Sequence, residues 1–265
     1  MRAHCINLDH RPERWRTAEP ALRVAGFAPQ RFSAVSVSDV QARAMVPHAL
    51  TQEAYARLGR VRETHEELGS LGAVGCYLSH ATLWQRLLES GEPSAYIFED
   101  DIAHVDPTVH AWVARAPSDY DLLVFHYHAR TPPKPINDTT VQLGRFFFLN
   151  GYVISRKGAQ NMLSKCFPIS EQVDSFISRN ELGLQVYAPK KSLLTTKDYG
   201  TDIQTPLALP FTYRLTDDAS RLNNRERVTL GLCVIFYISA FILLGYKLAR
   251  HQPSSRATNQ ARARN

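Results

Sequence analysis

Three consecutive carboxylates, Glu99-Asp100-Asp101, follow directly on the apolar segment Ser94 to Phe98. Adjacent carboxylates repel one another, and holding them beside an apolar strand costs free energy unless a cation neutralises them. Oxygen-only ligands suit Mn²⁺ or Mg²⁺, ions that grip diphosphate and stabilise the charge growing on a departing nucleoside diphosphate. The same triplet also reads as an acidic loop capping the helix that follows.

Other groups could join such a site. Asn7, Arg11 and Arg14 surround the helix start at Pro12. The arginines could pair with phosphates and Asn7 could hydrogen-bond a base or ribose, although arginine near a helix start is commonly a solvated surface residue. The stretch Gly72-Ala73-Val74-Gly75-Cys76-Tyr77-Leu78-Ser79-His80 combines small residues with two polar side chains, Ser79 and His80. Its glycines fit close approach to a ligand or simple packing, and its histidine a site or a satisfied core position. Asp174, near the start of a later helix, could deprotonate an acceptor hydroxyl or merely cap that helix. Asp202 is a further acidic neighbour.

The elements that must position these residues alternate. Cys5 to Leu8, Ser94 to Phe98, Leu122 to Phe125 and Phe146 to Ile154 read as strands. Helices are expected from Pro12, along Val74 to Leu88 with a stop at Gly91, over Lys157 to Lys165, and over Val173 to Leu182 with closure at Gly183. That alternation predicts a layered α/β sheet, in which ligands sit beyond the carboxyl ends of strands. Residues 1–205 form the expected catalytic domain, and a Pro-, Asp- and Asn-bearing linker follows over 206–227.

Residues Val228 to Tyr246 are an uncharged run of 19, which as a helix would span about 28 Å and cross a bilayer; a buried core helix is the other reading. A basic tail, 247–265, ends the chain. It holds five of the 31 Lys and Arg and no acid, so the other 26 nearly balance 25 acids, the high overall pI says little about partners of the body, and no nucleic-acid partner is expected. Cys5, Cys76, Cys166 and Cys233 form no Cys-x-x-Cys pair, which argues against a disulfide framework or a structural zinc site. The run Met1 to Asp9, which passes straight into the first strand, is not expected to act as a secretory signal. The expectation is a single C-terminal transmembrane anchor with the catalytic domain facing the cytosol, where the sequon Asn137-Asp138-Thr139 would stay unmodified.

Five motifs stand in order: Ile6-Asn7-Leu8 with Arg11 and Arg14; Gly75 to His80; Phe98 to Asp101; Gly151-Tyr152-Val153-Ile154-Ser155 with Gly158-Ala159; and Val173-Asp174. In content and order the set resembles glycosyltransferase family 25, over about residues 4–205. The resemblance implies a GT-A (Rossmann-like) fold and an inverting transfer from a nucleotide-sugar donor, usually UDP-galactose, with a divalent ion, usually Mn²⁺. The acceptor would be a hydroxyl of a glycan, glycolipid or protein. By the same resemblance Glu99 and Asp101 would bind the metal, Glu99 and Asp100 the donor, and Asn7, Arg11, Arg14, Ser79 and His80 would line the donor site, with Asp174 as acceptor base. Residues 42–68 and 131–136 match nothing in the family, and the C-terminal span is not a usual family feature. A non-catalytic, membrane-tethered sugar-nucleotide or glycan-binding module is the rival expectation, and a Mg²⁺-dependent phosphohydrolase a third.

Overall fold

The structure is a computed structural model that describes residues 1–37, 46–179 and 182–200. The chain divides into the units Met1–Ala208 and Leu209–Asn265, and the described residues all belong to the first. Asp202, the linker, the apolar run Val228 to Tyr246 and the basic tail lie outside them. Among the described residues no helix is long and apolar enough to cross a membrane.

The elements run β1 (Arg2–Asn7), α1 (Pro12–Val24), β2 (Pro29–Ser33), α2 (Gln52–Arg57), α3 (Leu71–Ser90), β3 (Ser94–Glu99), β4 (Ile102–Val105), α4 (Val109–Arg115), β5 (Leu122–Val124), β6 (His128–Ala129), β7 (Lys134–Pro135), β8 (Thr140–Gln142), β9 (Phe146–Phe147), β10 (Gly151–Ser155), α5 (Arg156–Leu163), α6 (Val173–Ile177), β11 (Val186–Pro189) and β12 (Leu194–Thr196). Eight strands make one mixed sheet in the order β2-β1-β3-β10-β5-β11-β8-β7. Strands β2, β1 and β3 are parallel, and β10 is antiparallel to both β3 and β5. The carboxyl ends of β1, β3 and β5 therefore share an edge with the start of β10, and the register opposes Ile6 to Glu99 and Phe98 to Gly151.

Alternation along the central strands fills both faces. Ala95, Ile97, Tyr152 and Ile154 join the side where Val74, Tyr77, Ala81 and Trp84 of α3 pack. Tyr96, Phe98, Leu123 and Val153 join Ala18 and Leu22 of α1 and Val109 and Trp112 of α4 on the other. Strands buried on both faces read as unbroken apolar runs, which is why β3 and β5 are visible in the sequence. Ser70 caps α3 by accepting from the Ala73 N–H, and Gly91 ends it at φ 75°, a conformation glycine adopts without steric cost.

Two elements differ from expectation. The strand expected over Phe146 to Ile154 is broken into β9 and β10 because Phe148 takes φ 77°. Its N–H is held by Asp174, 26 residues away, so the break is a tertiary effect. The helix expected over Val173 to Leu182 stops at Ile177, where the Ser178 hydroxyl bonds back to the Ser175 carbonyl and takes an acceptor that a continuing helix would use. Gly183 does take positive φ, but as part of the following loop.

Candidate active site

The acid triplet lies at the carboxyl end of β3, and the start of β10 brings it a partner. Asn150 Nδ2 donates to Asp101 Oδ2 at 2.8 Å and lies 3.5 Å from Glu99 Oε2. One amide thus draws two carboxylates together, while the Asn150 carbonyl accepts from the Glu99 N–H at 2.8 Å and fixes β10 beside them. Asp101 Oδ1 is buried without a hydrogen-bond partner. Burial, and then the charges of Glu99 and Asp100, push the Asp101 carboxyl up to about 8. A buried, orphaned oxygen beside a second carboxylate is a hard-donor arrangement that fits Mn²⁺ or Mg²⁺.

Asp100 turns the other way. It accepts from Asn7 Nδ2 at 2.6 Å and lies 3.6 Å from Arg14, whose guanidinium also sits 5.3 Å from the Tyr199 ring centroid. Burial raises the Asp100 carboxyl, and the Asn7 bond and Arg14 oppose the rise. Asn7 is wholly buried and its amide is used internally, donating also to the Arg11 carbonyl at 2.9 Å and accepting from Arg31 at 2.7 Å. The structure thus places Asn7 and Arg14 as supports of Asp100. Arg11 is more exposed and lies 3.9 Å from Glu13.

On α3, Ser79 is fully buried; its hydroxyl donates to the Gly75 carbonyl at 2.7 Å and accepts from the Val35 N–H at 2.9 Å. A Cβ on Gly75 would stand 2.4 Å from the Val35 carbonyl oxygen, so this glycine serves packing. His80 points to the acids. Trp84 Nε1–H donates to the Tyr152 oxygen at 2.9 Å, and that buried hydroxyl has His80 Nδ1, also at 2.9 Å, as the acceptor for its own proton. The imidazole therefore carries its proton on Nε2 and donates it to Glu99 Oε1 at 3.2 Å. A chain of three hydrogen bonds from Trp84 fixes Glu99.

Cys76, His80 and Glu99 bring their ligand atoms within 4.8 Å of one another. Their nitrogen and sulfur donors suit a softer ion such as Zn²⁺, and a metal ligand must shed its proton. Burial holds the Cys76 thiol protonated, and the His80 tautomer aims N–H at Glu99, so the oxygen pair Glu99 and Asp101 is the better divalent site.

Asp174 enters from the first turn of α6. Its Oδ2 accepts from the Phe148 N–H at 3.0 Å and its Oδ1 from the Ser175 N–H at 2.8 Å. Burial raises its carboxyl, and the two backbone bonds oppose this. Asn7, Arg14, His80 and the three acids thus converge on one sheet edge; Asp174 is tied to Phe148, two residues before Asn150, the Arg11 guanidinium lies by Glu13, and Ser79 ties α3 to the segment after β2. Sequence reasoning missed Asn150, for which a lone Asn inside an apolar run was the available signal, and it held Tyr152 within a motif without assigning it a role.

Comparison with known proteins matches residues 1–108 to the family model described as glycosyltransferase family 25 (LPS biosynthesis protein). That range holds Asn7, Arg14, His80 and the acid triplet. A glycosyltransferase 25 family member of Drosophila pseudoobscura pseudoobscura is 29% identical over 192 residues, covering 66% of this chain and 30% of that protein. A family member from Drosophila melanogaster is 27% identical over 212 residues, covering 73% and 33%. The lacto-N-neotetraose biosynthesis glycosyltransferase LgtB of Neisseria meningitidis is 29% identical over 175 residues, covering 59% and 58%. The match spans about a third of the insect relatives' length.

Proposed function

We propose that the chain, which over residues 1–108 matches the model of glycosyltransferase family 25 and resembles its members, is a glycosyltransferase of that family that transfers a sugar from a UDP-sugar, galactose being the family's usual one, to a hydroxyl of a glycan, glycolipid or protein. The observation that carries this reading is the orphaned Asp101 Oδ1 beside Glu99 at the edge formed by β1, β3 and β10. Lacto-N-neotetraose in the meningococcal relative's name favours a saccharide acceptor. A GT-A arrangement is consistent with a mixed sheet that gathers its acids at one edge.

Glu99 and Asp101 would hold Mn²⁺ or Mg²⁺, which when bound supplies Lewis-acid stabilisation of the leaving diphosphate. Asn150 and His80 orient the two carboxylates, and Arg14, leaning on Asp100, adds positive charge on the β1 side. In an inverting displacement the acceptor oxygen forms a bond to the anomeric carbon as the bond from that carbon to the diphosphate oxygen breaks. Asp174 would take the acceptor's proton, and its raised affinity for protons supports that role. The apolar run Val228 to Tyr246 would anchor the enzyme, with the catalytic domain on the cytosolic side, and confine it with a membrane-borne acceptor.

The test is UDP release by the full-length chain from a panel of UDP-sugars, with Mn²⁺ or with chelator, and with Asp101→Ala. Metal-dependent release that rises with acceptor and is lost in the variant is expected. Metal-dependent UDP-sugar binding without turnover under any acceptor would replace this reading with a binding module.

A further inference from the structure

The residue between β9 and the acid cluster is bulky, strained and exposed at once. Phe148 takes φ 77°, a region where an L residue with a large side chain pays roughly 1–3 kcal/mol. The conformation is held by the Asp174 carboxylate on the Phe148 N–H at 3.0 Å. It leaves Phe148 37% exposed, whereas Phe146 is buried and Phe147 half-buried. The ring is not loose. It stacks on His126 with centroids 5.5 Å apart and planes 17° from parallel, and meets His128 edge-on at 6.2 Å. His126 is itself braced by Ser192, whose hydroxyl makes a 2.6 Å bond to the Leu194 carbonyl. With the serine proton committed there, His126 Nδ1 is the donor in the 3.0 Å contact with Ser192, which leaves Nε2 an acceptor.

We propose that Phe148, seated on His126, is a stacking platform for a pyranose ring of the acceptor. A rigid aromatic face offers a large apolar surface with little ordering cost, and the axial C–H face of a pyranose matches it while the sugar's hydroxyls remain free for Asp174 and His126. Sheet order favours the acceptor over the donor. The strands run β1, β3, β10, β5, so Arg14 and Asp100 stand on one side of Glu99 and Asp101, and Phe148 and His126 on the other. With the diphosphate drawn toward the Arg14 side, as the transferase reading has it, displacement with inversion needs the acceptor on the opposite side, where the platform lies. Naming the bound sugar the acceptor rests on the transferase reading; the ring's affinity for a sugar does not.

Methyl β-D-galactoside and methyl β-D-glucoside are the probes, used with the full-length chain in a detergent that has no sugar headgroup. Saturation-transfer NMR reads contact between aromatic protons and the glycoside C–H face, and calorimetry reads UDP binding with Mn²⁺. Phe148→Gly removes the ring while accepting φ 77° without strain, so the backbone that carries Asn150 is kept. The expected result is contact in the wild type, glycoside affinity lower by about two- to tenfold in Phe148→Gly and retained in Phe148→Tyr, and UDP affinity changed by less than about twofold throughout. Absence of ring contact in a wild type that binds UDP overturns the platform and leaves the transferase reading standing. A fall in UDP affinity in Phe148→Gly also overturns it, since the ring then stacks on the nucleobase. A wild type that holds glycoside on the ring yet neither binds UDP nor turns over any UDP-sugar upholds the platform and overturns the transferase reading.

Discussion

Metal and proton should compete for Asp101. Burial and the neighbouring Glu99 and Asp100 charges push its carboxyl up to about 8, against about 3.9 in an unfolded chain. A group that binds its proton more tightly when folded favours the protonated native state, so the metal-free protein should lose stability as pH rises from about 4 toward 8. A divalent ion reverses that trend because it binds the ionised form. At pH 6 about one site in a hundred would be ionised and at pH 8 about half, so the apparent metal affinity should rise about fiftyfold between them. With the ion well above both dissociation constants, that ratio is worth roughly 2.3 kcal/mol of added stabilisation, or roughly 5–9 °C in Tm for a domain of this size. Thermal unfolding with and without Mg²⁺ or Mn²⁺ at the two pH values measures it. Calorimetry in two buffers of different ionisation enthalpy should show close to one proton released per ion at pH 6 and less above pH 8. Equal metal-induced shifts at both pH values would refute the reasoning, because Asp101 would then be ionised before the metal arrives. Asp101→Asn should abolish the shift and raise the metal-free Tm at pH 8.

Three substitutions probe the supports. Asn150→Ala removes the amide that draws Glu99 and Asp101 together and should weaken metal binding by about 10–100-fold with the fold intact by circular dichroism. Tyr152→Phe strands Trp84 Nε1–H and frees His80 Nδ1; about 1–3 kcal/mol of stability should go, together with roughly tenfold in kcat/KM, and full activity would show that the tautomer argument is mistaken. Gly75→Ala sets a methyl 2.4 Å from the Val35 carbonyl oxygen, which should cost about 1–3 kcal/mol in denaturant unfolding with little change in donor KM.

The strands that carry the chemistry were legible because β3 and β5 are buried on both faces and so spell continuous apolar runs. The acids were legible because three adjacent carboxylates after such a run conflict with their surroundings, and conflict of that kind marks a site. What could not be read was the break at Phe148. Three consecutive phenylalanines satisfy a strand pattern, and the left-handed turn at the third is imposed by a carboxylate 26 residues further on. Asn150 was lost with it, since its role depends on β10 beginning after the break. Asn7 and Ser79 were found as polar residues near the site, but local sequence does not distinguish a side chain that meets a ligand from one that holds its neighbours; both are fully buried.

That division of labour explains how the triplet is tolerated. Each carboxylate is matched by a different neighbour: Glu99 by the N–H of His80 on α3, Asp100 by Asn7 of β1 and Arg14 of α1, and Asp101 by Asn150 at the start of β10. Supports from three directions compensate three like charges gathered at one strand end. Asp100 has its oxygens on Asn7 and Arg14 and Glu99 has both of its within reach of donors, whereas Asp101 keeps one buried oxygen without a hydrogen-bond partner. Within the triplet the fold thus concentrates the unmet electrostatic cost in one atom, Asp101 Oδ1. A cation bound there would lower the folded-state cost most where it is highest, which is the physical reason that metal affinity, proton release and stability should move together in Asp101.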